Sequence, residues 1–106
     1  MDILTIHNEA KNAAIQAENA HIAQYGEALY CGFAWVDVFV ARTNSKEAKE
    51  LIKVGFKKSW RGKCLNLWSP GGYNGQSMDI KEAGAHAYAE VLTKYGFKAY
   101  MGSRAD

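Results

Sequence analysis

Proline is nearly absent from this chain, with one in 106 residues, and cysteine is scarce, with two. The lone Pro70 leaves every other segment free to run as unbroken helix or strand. Cys31 and Cys64 each sit inside a strand-like run without metal-ligand spacing, which excludes a disulfide scaffold and a cysteine metal site. They read as reduced, buried thiols of a cytosolic protein. Neither charge dominates. Against 11 Asp and Glu stand 13 Lys and Arg, a net charge of +2, so a basic surface has to come from local clustering. No apolar run approaches the ~20 residues of a membrane span, and the first residues lack a signal-peptide core. The expectation is a cytoplasmic protein with no membrane partner. Catalytic patterns are missing too: there is no Gly-x-Ser-x-Gly elbow, and no histidine lies near either cysteine in sequence. The reading is therefore a non-enzyme, with no catalytic residue, metal or cofactor assigned.

What is present is an ordinary globular composition, 48% apolar and 23% charged, long enough to bury a core as one domain over 1–106. Ile3, Ile6, Ala10, Ala13, Ala14, Ala17 and Ala20 recur at helical spacing, predicting a long helix from Ile3 to Tyr25 capped by Asp2 and stopped by Gly26. His7 and His21 fall on its polar side and read as solvated. Leu29 to Ala41 is dense in aromatic and β-branched residues and reads as a central strand covered on both faces, with Asp37 its only charge. Thr43, Asn44 and Ser45 cap a short helix from Lys46 to Val54. Phe56 to Trp60 and Lys63 to Trp68 then form a hairpin around Arg61-Gly62. A glycine-rich loop leads into a helix from Met78 to Tyr95, and Phe97 to Met101 is a last strand. On the polar face of that helix, Glu82, His86, Glu90 and Lys94 read as a solvated charge row rather than a metal site.

Two segments repeat. Ala48-Lys-Glu-Leu-Ile-Lys-Val-Gly-Phe-Lys57 and Ala89-Glu-Val-Leu-Thr-Lys-Tyr-Gly-Phe-Lys98 share Ala-x-x-Leu-x-Lys-x-Gly-Phe-Lys. Each is a helix end, a glycine stop and a strand entered through phenylalanine. The chain then reads as a first βαβ half over 29–60 and a second over 63–102, behind an N-terminal helix over 1–26. That is an α+β, ferredoxin-like split βαβ (β-α-β-β-α-β) with an antiparallel sheet and an added long N-terminal helix. One pole of such a sheet collects Arg42, Thr43, Asn44, Lys58, Trp60, Arg61 and Lys63. The other collects the glycine-rich loop, Tyr30, Ser103 and Arg104.

Two binding sites are candidates. Gly71, Gly72, Tyr73, Asn74, Gly75, Gln76 and Ser77 end at a helix N-terminus, where free N–H groups and the dipole favour an anion. Tyr73 offers a ring to stack on and Arg104 a neutralising charge, which suits a phosphorylated, nucleotide-like ligand. A plain turn explains the same residues, since Pro-Gly-Gly and Asn-Gly are turn formers. The alternative site is the hairpin, where Lys57, Lys58, Arg61 and Lys63 flank Trp60 as in single-strand nucleic-acid binders. Lysines guarding an edge strand explain that run equally well.

Cys31-Gly-Phe-Ala-Trp-Val36, Leu65-Asn-Leu-Trp-Ser-Pro-Gly71, Gln76-Ser77, Lys81-Glu-Ala-Gly-Ala85, Ala87-Tyr-Ala-Glu-Val-Leu92 and Ser103-Arg-Ala-Asp106 resemble a group of small tailed-phage proteins with no assigned activity. The resemblance implies an accessory protein acting in the host bacterial cytoplasm. Its partner would be a host or defence protein, or a phosphorylated small molecule held at the glycine-rich loop. A homodimer would form through the N-terminal helix.

Overall fold

A computed structural model describes residues 2–27 and 30–106. Helix α1 (Ile3–Tyr25) has the expected limits and begins with the Asp2 carboxylate accepting from the Thr5 N–H at 2.8 Å. Strand β1 (Gly32–Phe39) follows, then α2 (Lys46–Lys53), β2 (Lys57–Lys58), β3 (Cys64–Trp68), α3 (Met78–Lys94) and β4 (Lys98–Ala105). Leu29, the expected first strand residue, lies outside the described residues. Ser45 and Ser77 cap α2 and α3 through their side chains, as serines before helical runs do.

The repeat is one structural device built twice. After α2, Gly55 stands at φ 123° and the Phe56 N–H donates to the Leu51 carbonyl at 3.1 Å. After α3, Gly96 stands at φ 94° and the Phe97 N–H donates to the Leu92 carbonyl at 3.1 Å. Only glycine takes such a φ without strain, so each helix ends there and releases a strand.

The sheet is antiparallel throughout, in the order β2-β3-β1-β4. β1 is central, paired with β3 from Trp35↔Trp68 to Phe39↔Cys64 and with β4 from Gly32↔Ala105 to Phe39↔Lys98. β4 is longer than expected and takes residues 102–105, beyond the expected end at Met101, into the sheet. β2 is shorter, because the chain leaves the edge at Ser59 to turn.

The expectation of a strand covered on both faces fails for β1. Ala34, Val36, Val38 and Val40 are buried beneath α3 and α2 together with Leu65 and Ala99. Their alternates Phe33, Trp35 and Phe39 are only partly covered. All three helices lie on one side of the sheet: α3 packs on β1 and β4, α2 approaches β3, and α1 packs on α3 and α2. α3 is thus covered on two flanks, which explains why Lys81, Ala85 and Ala89 are buried as well as Gly84, Tyr88 and Leu92.

α1 buries Ile3, Ile6, Ala10, Ala14 and Glu18, whereas Ala13 and Ala17 of the expected stripe are partly covered and Ala20 is exposed. His7, expected on the surface, is half-buried and lies 2.6 Å from the Tyr88 hydroxyl. Burial, with Lys11 nearby, lowers its pKa. In the expected charge row, His86 pairs with Glu90, whereas Lys94 reaches across to Glu9 of α1 and Glu82 accepts from Ser103.

Candidate functional site

Pleating puts every second residue of a strand on the same face. On the face of the sheet away from the helices, β1 presents Phe33, Trp35, Asp37 and Phe39. β3 presents Cys64, Asn66 and Trp68 beside them, and β4 presents Lys98, Tyr100, Gly102 and Arg104. β2 adds Lys57 opposite Asn66.

The rings form two groups. Trp35 and Trp68, directly opposite in register, stack with centroids 4.6 Å apart and planes 24° apart, and Phe33 tilts against Trp68 at 5.9 Å. Phe39 meets Tyr100 edge-on at 5.9 Å. The Trp35 indole lies across β4 at Gly102, where a Cβ would overlap it. Glycine at this position is what allows the indole to lie flat. Trp68, Phe39 and Tyr100 remain 45%, 37% and 58% exposed, more apolar ring than a solvated sheet face normally leaves open.

Cations ring these aromatics. The Arg104 guanidinium stands 5.6 Å over Phe33, and Lys81, at the start of α3, reaches the same ring at 5.1 Å while its ammonium donates to the Gly32 carbonyl. Lys57 and Lys98 project from the two edge strands. Arg61 comes from the β2–β3 turn to Asp37 at 3.5 Å. Asp37 is the one acid among these strand positions, with 6% of its surface exposed. The Trp35 indole N–H donates to it at 3.2 Å and the Cys64 thiol at 3.7 Å. Burial and the adjacent carboxylate push the Cys64 thiol pKa up, so this cysteine is held as a thiol.

Neither expected set of site residues stays together. From the basic hairpin, Lys57 and Arg61 join the open face. Lys58 sits opposite Leu65 and so points to the helix side, Lys63 precedes β3, and Trp60 projects from the turn at 90% exposure with Arg61 beside it. From the loop set, Arg104 joins the open face over Phe33.

The glycine-rich loop faces acids instead. A Cβ at Gly71 or at Gly84 of α3 would overlap the Glu18 carboxylate, so the two glycines form a cradle for it. The Tyr73 backbone N–H favours the charged form of this carboxylate, yet its Oε2 has no hydrogen-bond partner among the described residues. Burial raises the Glu18 pKa to about 7. The Tyr73 hydroxyl donates to Glu27 at 2.5 Å, and Ser77 is buried as the α3 cap. Asn74 and Gln76 are exposed, and Gly75 is closed over by the Tyr73 ring.

The chain matches no family model, no curated protein and no solved structure.

A shallow groove of about 570 Å³ also runs along α3 and β4, between His86, Glu90, Thr93 and Met101. Its polar groups are taken up in pairs of their own, His86 with Glu90 and Lys94 with Glu9. The open sheet face is the better site. The residues that sequence reasoning passed over are Phe33, Trp35, Phe39, Asn66, Trp68, Lys98 and Tyr100. The signal for them was the alternation Phe-x-Trp-x-Asp-x-Phe against Ala-x-Val-x-Val-x-Val in Phe33–Val40.

Proposed function

We propose that this chain is a non-enzymatic module that binds single-stranded nucleic acid on the open face of its sheet. The observation that carries the reading is the row of partly exposed rings, Phe33, Trp35, Trp68, Phe39 and Tyr100, set among Lys57, Arg61, Lys98 and Arg104. Unstacked bases gain about 1–3 kcal/mol each by stacking on aromatic side chains, and the cations neutralise the phosphates between them. A sheet carrying stacking aromatics is one of the recurrent ways proteins hold single strands. We read the architecture as a ferredoxin-like split βαβ; the order β2-β3-β1-β4 and the doubled helix-Gly-Phe-strand unit support it. The resemblance to small tailed-phage proteins supports an accessory role in an infected bacterium, with phage or host single strands as the partner.

For the loop 71–77 we propose an internal role. Glu18 fills the space between Gly71 and Gly84, and Glu27, held by the Tyr73 hydroxyl, is an acid beside the loop that opposes the entry of a phosphate. A homodimer through α1 has less support than a monomer, because α1 already spends its buried face on α3.

The test is fluorescence anisotropy of labelled single-stranded 12-mers against increasing salt. Binding that weakens steeply with salt, and that is stronger for single strands than for duplex, supports the proposal. No binding at 50 mM salt, or tighter binding of duplex, overturns it. Binding of acidic peptides but not oligonucleotides would replace it with a protein-docking role.

A further inference from the structure

Asp37 is out of character with the rest of the open face. A surface that attracts phosphates gains nothing from a carboxylate at its centre, and an apolar residue would pack there without a desolvation cost. The carboxylate is also incompletely served. Its two nitrogen donors, Trp35 and Arg61, stand at 3.2 and 3.5 Å, whereas charge-assisted N–H bonds to carboxylate close to about 2.7–2.9 Å, and the third donor, the Cys64 thiol at 3.7 Å, is a weak one. One of the three is detachable, because Arg61 rides on the exposed 59–63 turn and is itself half exposed.

The flanks of Asp37 are suited to a base. Its cross-strand neighbours are Tyr100 on β4, exposed and available for stacking, and Asn66 on β3. A base lying on Tyr100 turns its edge toward Asp37, since opposite side chains in an antiparallel pair stand about 5 Å apart. Among the bases, guanine alone presents two parallel donors on its Watson–Crick edge, N1–H and the N2 amino group, and a carboxylate accepts both. The adjacent O6 acceptor then falls to Arg61. Adenine and cytosine each offer one amino donor, and uracil offers one N–H between two carbonyls that a carboxylate repels.

We infer that the centre of the face is a guanine-reading site, with Asp37 accepting from N1 and N2, Arg61 donating to O6 and Tyr100 stacking. The inference rests on the single-strand reading of the face. Binding moves Arg61 off the carboxylate and onto the base, so the buried acid exchanges long contacts for short ones.

The experiment uses the full chain and RNA 9-mers of the form U4-X-U4, with X guanine, inosine, adenine, cytosine or uracil. Guanine should bind at least about tenfold tighter than uracil, the discrimination expected of a good bidentate contact. Inosine, which lacks the N2 amino group, should fall between. Asp37→Asn should collapse the guanine-over-inosine ratio. Arg61→Ala, with its fold checked by circular dichroism because it removes the cation beside the buried Asp37, should lower guanine-over-adenine. Equal affinities for all five strands, or a ratio unchanged in both variants, overturn the guanine site while leaving the single-strand reading intact. Absence of binding to every strand overturns both.

Discussion

At the residue scale, Glu18 is the most unusual group in the molecule. It continues the α1 stripe where the pattern of alanines leads one to expect another small residue, and it is 3% exposed with one oxygen unpaired among the described residues. Between its ordinary pKa of 4.5 and its folded value of about 7, the folded chain holds a proton that the unfolded chain has released. Its contribution is therefore fully present below pH ~4.5 and lost as pH rises through ~7, with a ceiling on the order of 3 kcal/mol. His7, on the same helix, has the opposite sign. Its lowered pKa means stability is present above its ordinary value of 6.5 and lost as pH falls toward the folded value. Glu18→Gln, which mimics the protonated acid, should leave the melting temperature near pH 5 almost unchanged and raise it at pH 8. A melting temperature lowered equally at both pH values would refute the protonated cradle. Gly84→Ala should destabilise the chain although alanine favours helix, because its Cβ overlaps the Glu18 carboxylate. In a Glu18→Ala background the same change should be neutral or stabilising, read by urea unfolding.

At the scale of elements, β1 divides the labour of the sheet. Its small and β-branched residues face the helices, and its rings and Asp37 face outward. Trp68 then links the two halves of the chain: it ends β3 stacked on Trp35, and the loop that follows runs straight to the Glu18 cradle at Gly71. Binding should therefore follow the face and not the loop. Trp68→Ala and Tyr100→Ala should each weaken oligonucleotide binding by about tenfold, the value of one stacked base. Asn74→Ala and Gln76→Ala, in the exposed part of the loop, should change it less than twofold. Anisotropy titrations of the four variants separate the two sites, and the reverse ranking would return the loop to first place.

The helices, their caps and the Gly-Phe-Lys strand entries were legible because each rests on a local signal: the Asp2, Ser45 and Ser77 caps, the glycine stops, the periodic alanines. The face of β1 was misread for a different reason. A run with aromatics at alternate positions and valines between them looks uniformly apolar unless the period of two is counted. The pairing of Glu18 with Gly71 and Gly84 had no signal at all in the sequence, since the contact joins segments more than 50 positions apart. Arg104 was singled out as a partner of the loop. The strand register carries it to Phe33 instead.

At the scale of the molecule, the net charge of +2 is too small to drive association by itself, and the arrangement matters more. Lys57, Arg61, Lys98 and Arg104 on one face can neutralise four phosphates at most, so log Kd should change with log salt with a slope no steeper than about 3 for single strands. A much steeper slope would mean that Lys58, Lys63 and Arg42 are engaged and that the strand wraps the hairpin pole. The helix layer behind the sheet stays clear of the bound strand. The most direct test is a ¹⁵N NMR titration of the chain with a single-stranded 9-mer, following backbone amides and the three tryptophan indoles. Perturbations should concentrate at Phe33–Phe39, Asn66–Trp68 and Lys98–Arg104, with the Trp35 and Trp68 indoles among the largest and α1 unmoved. Perturbations confined to Gly71–Ser77 and the start of α3, or none at millimolar oligonucleotide, would contradict binding on the sheet face.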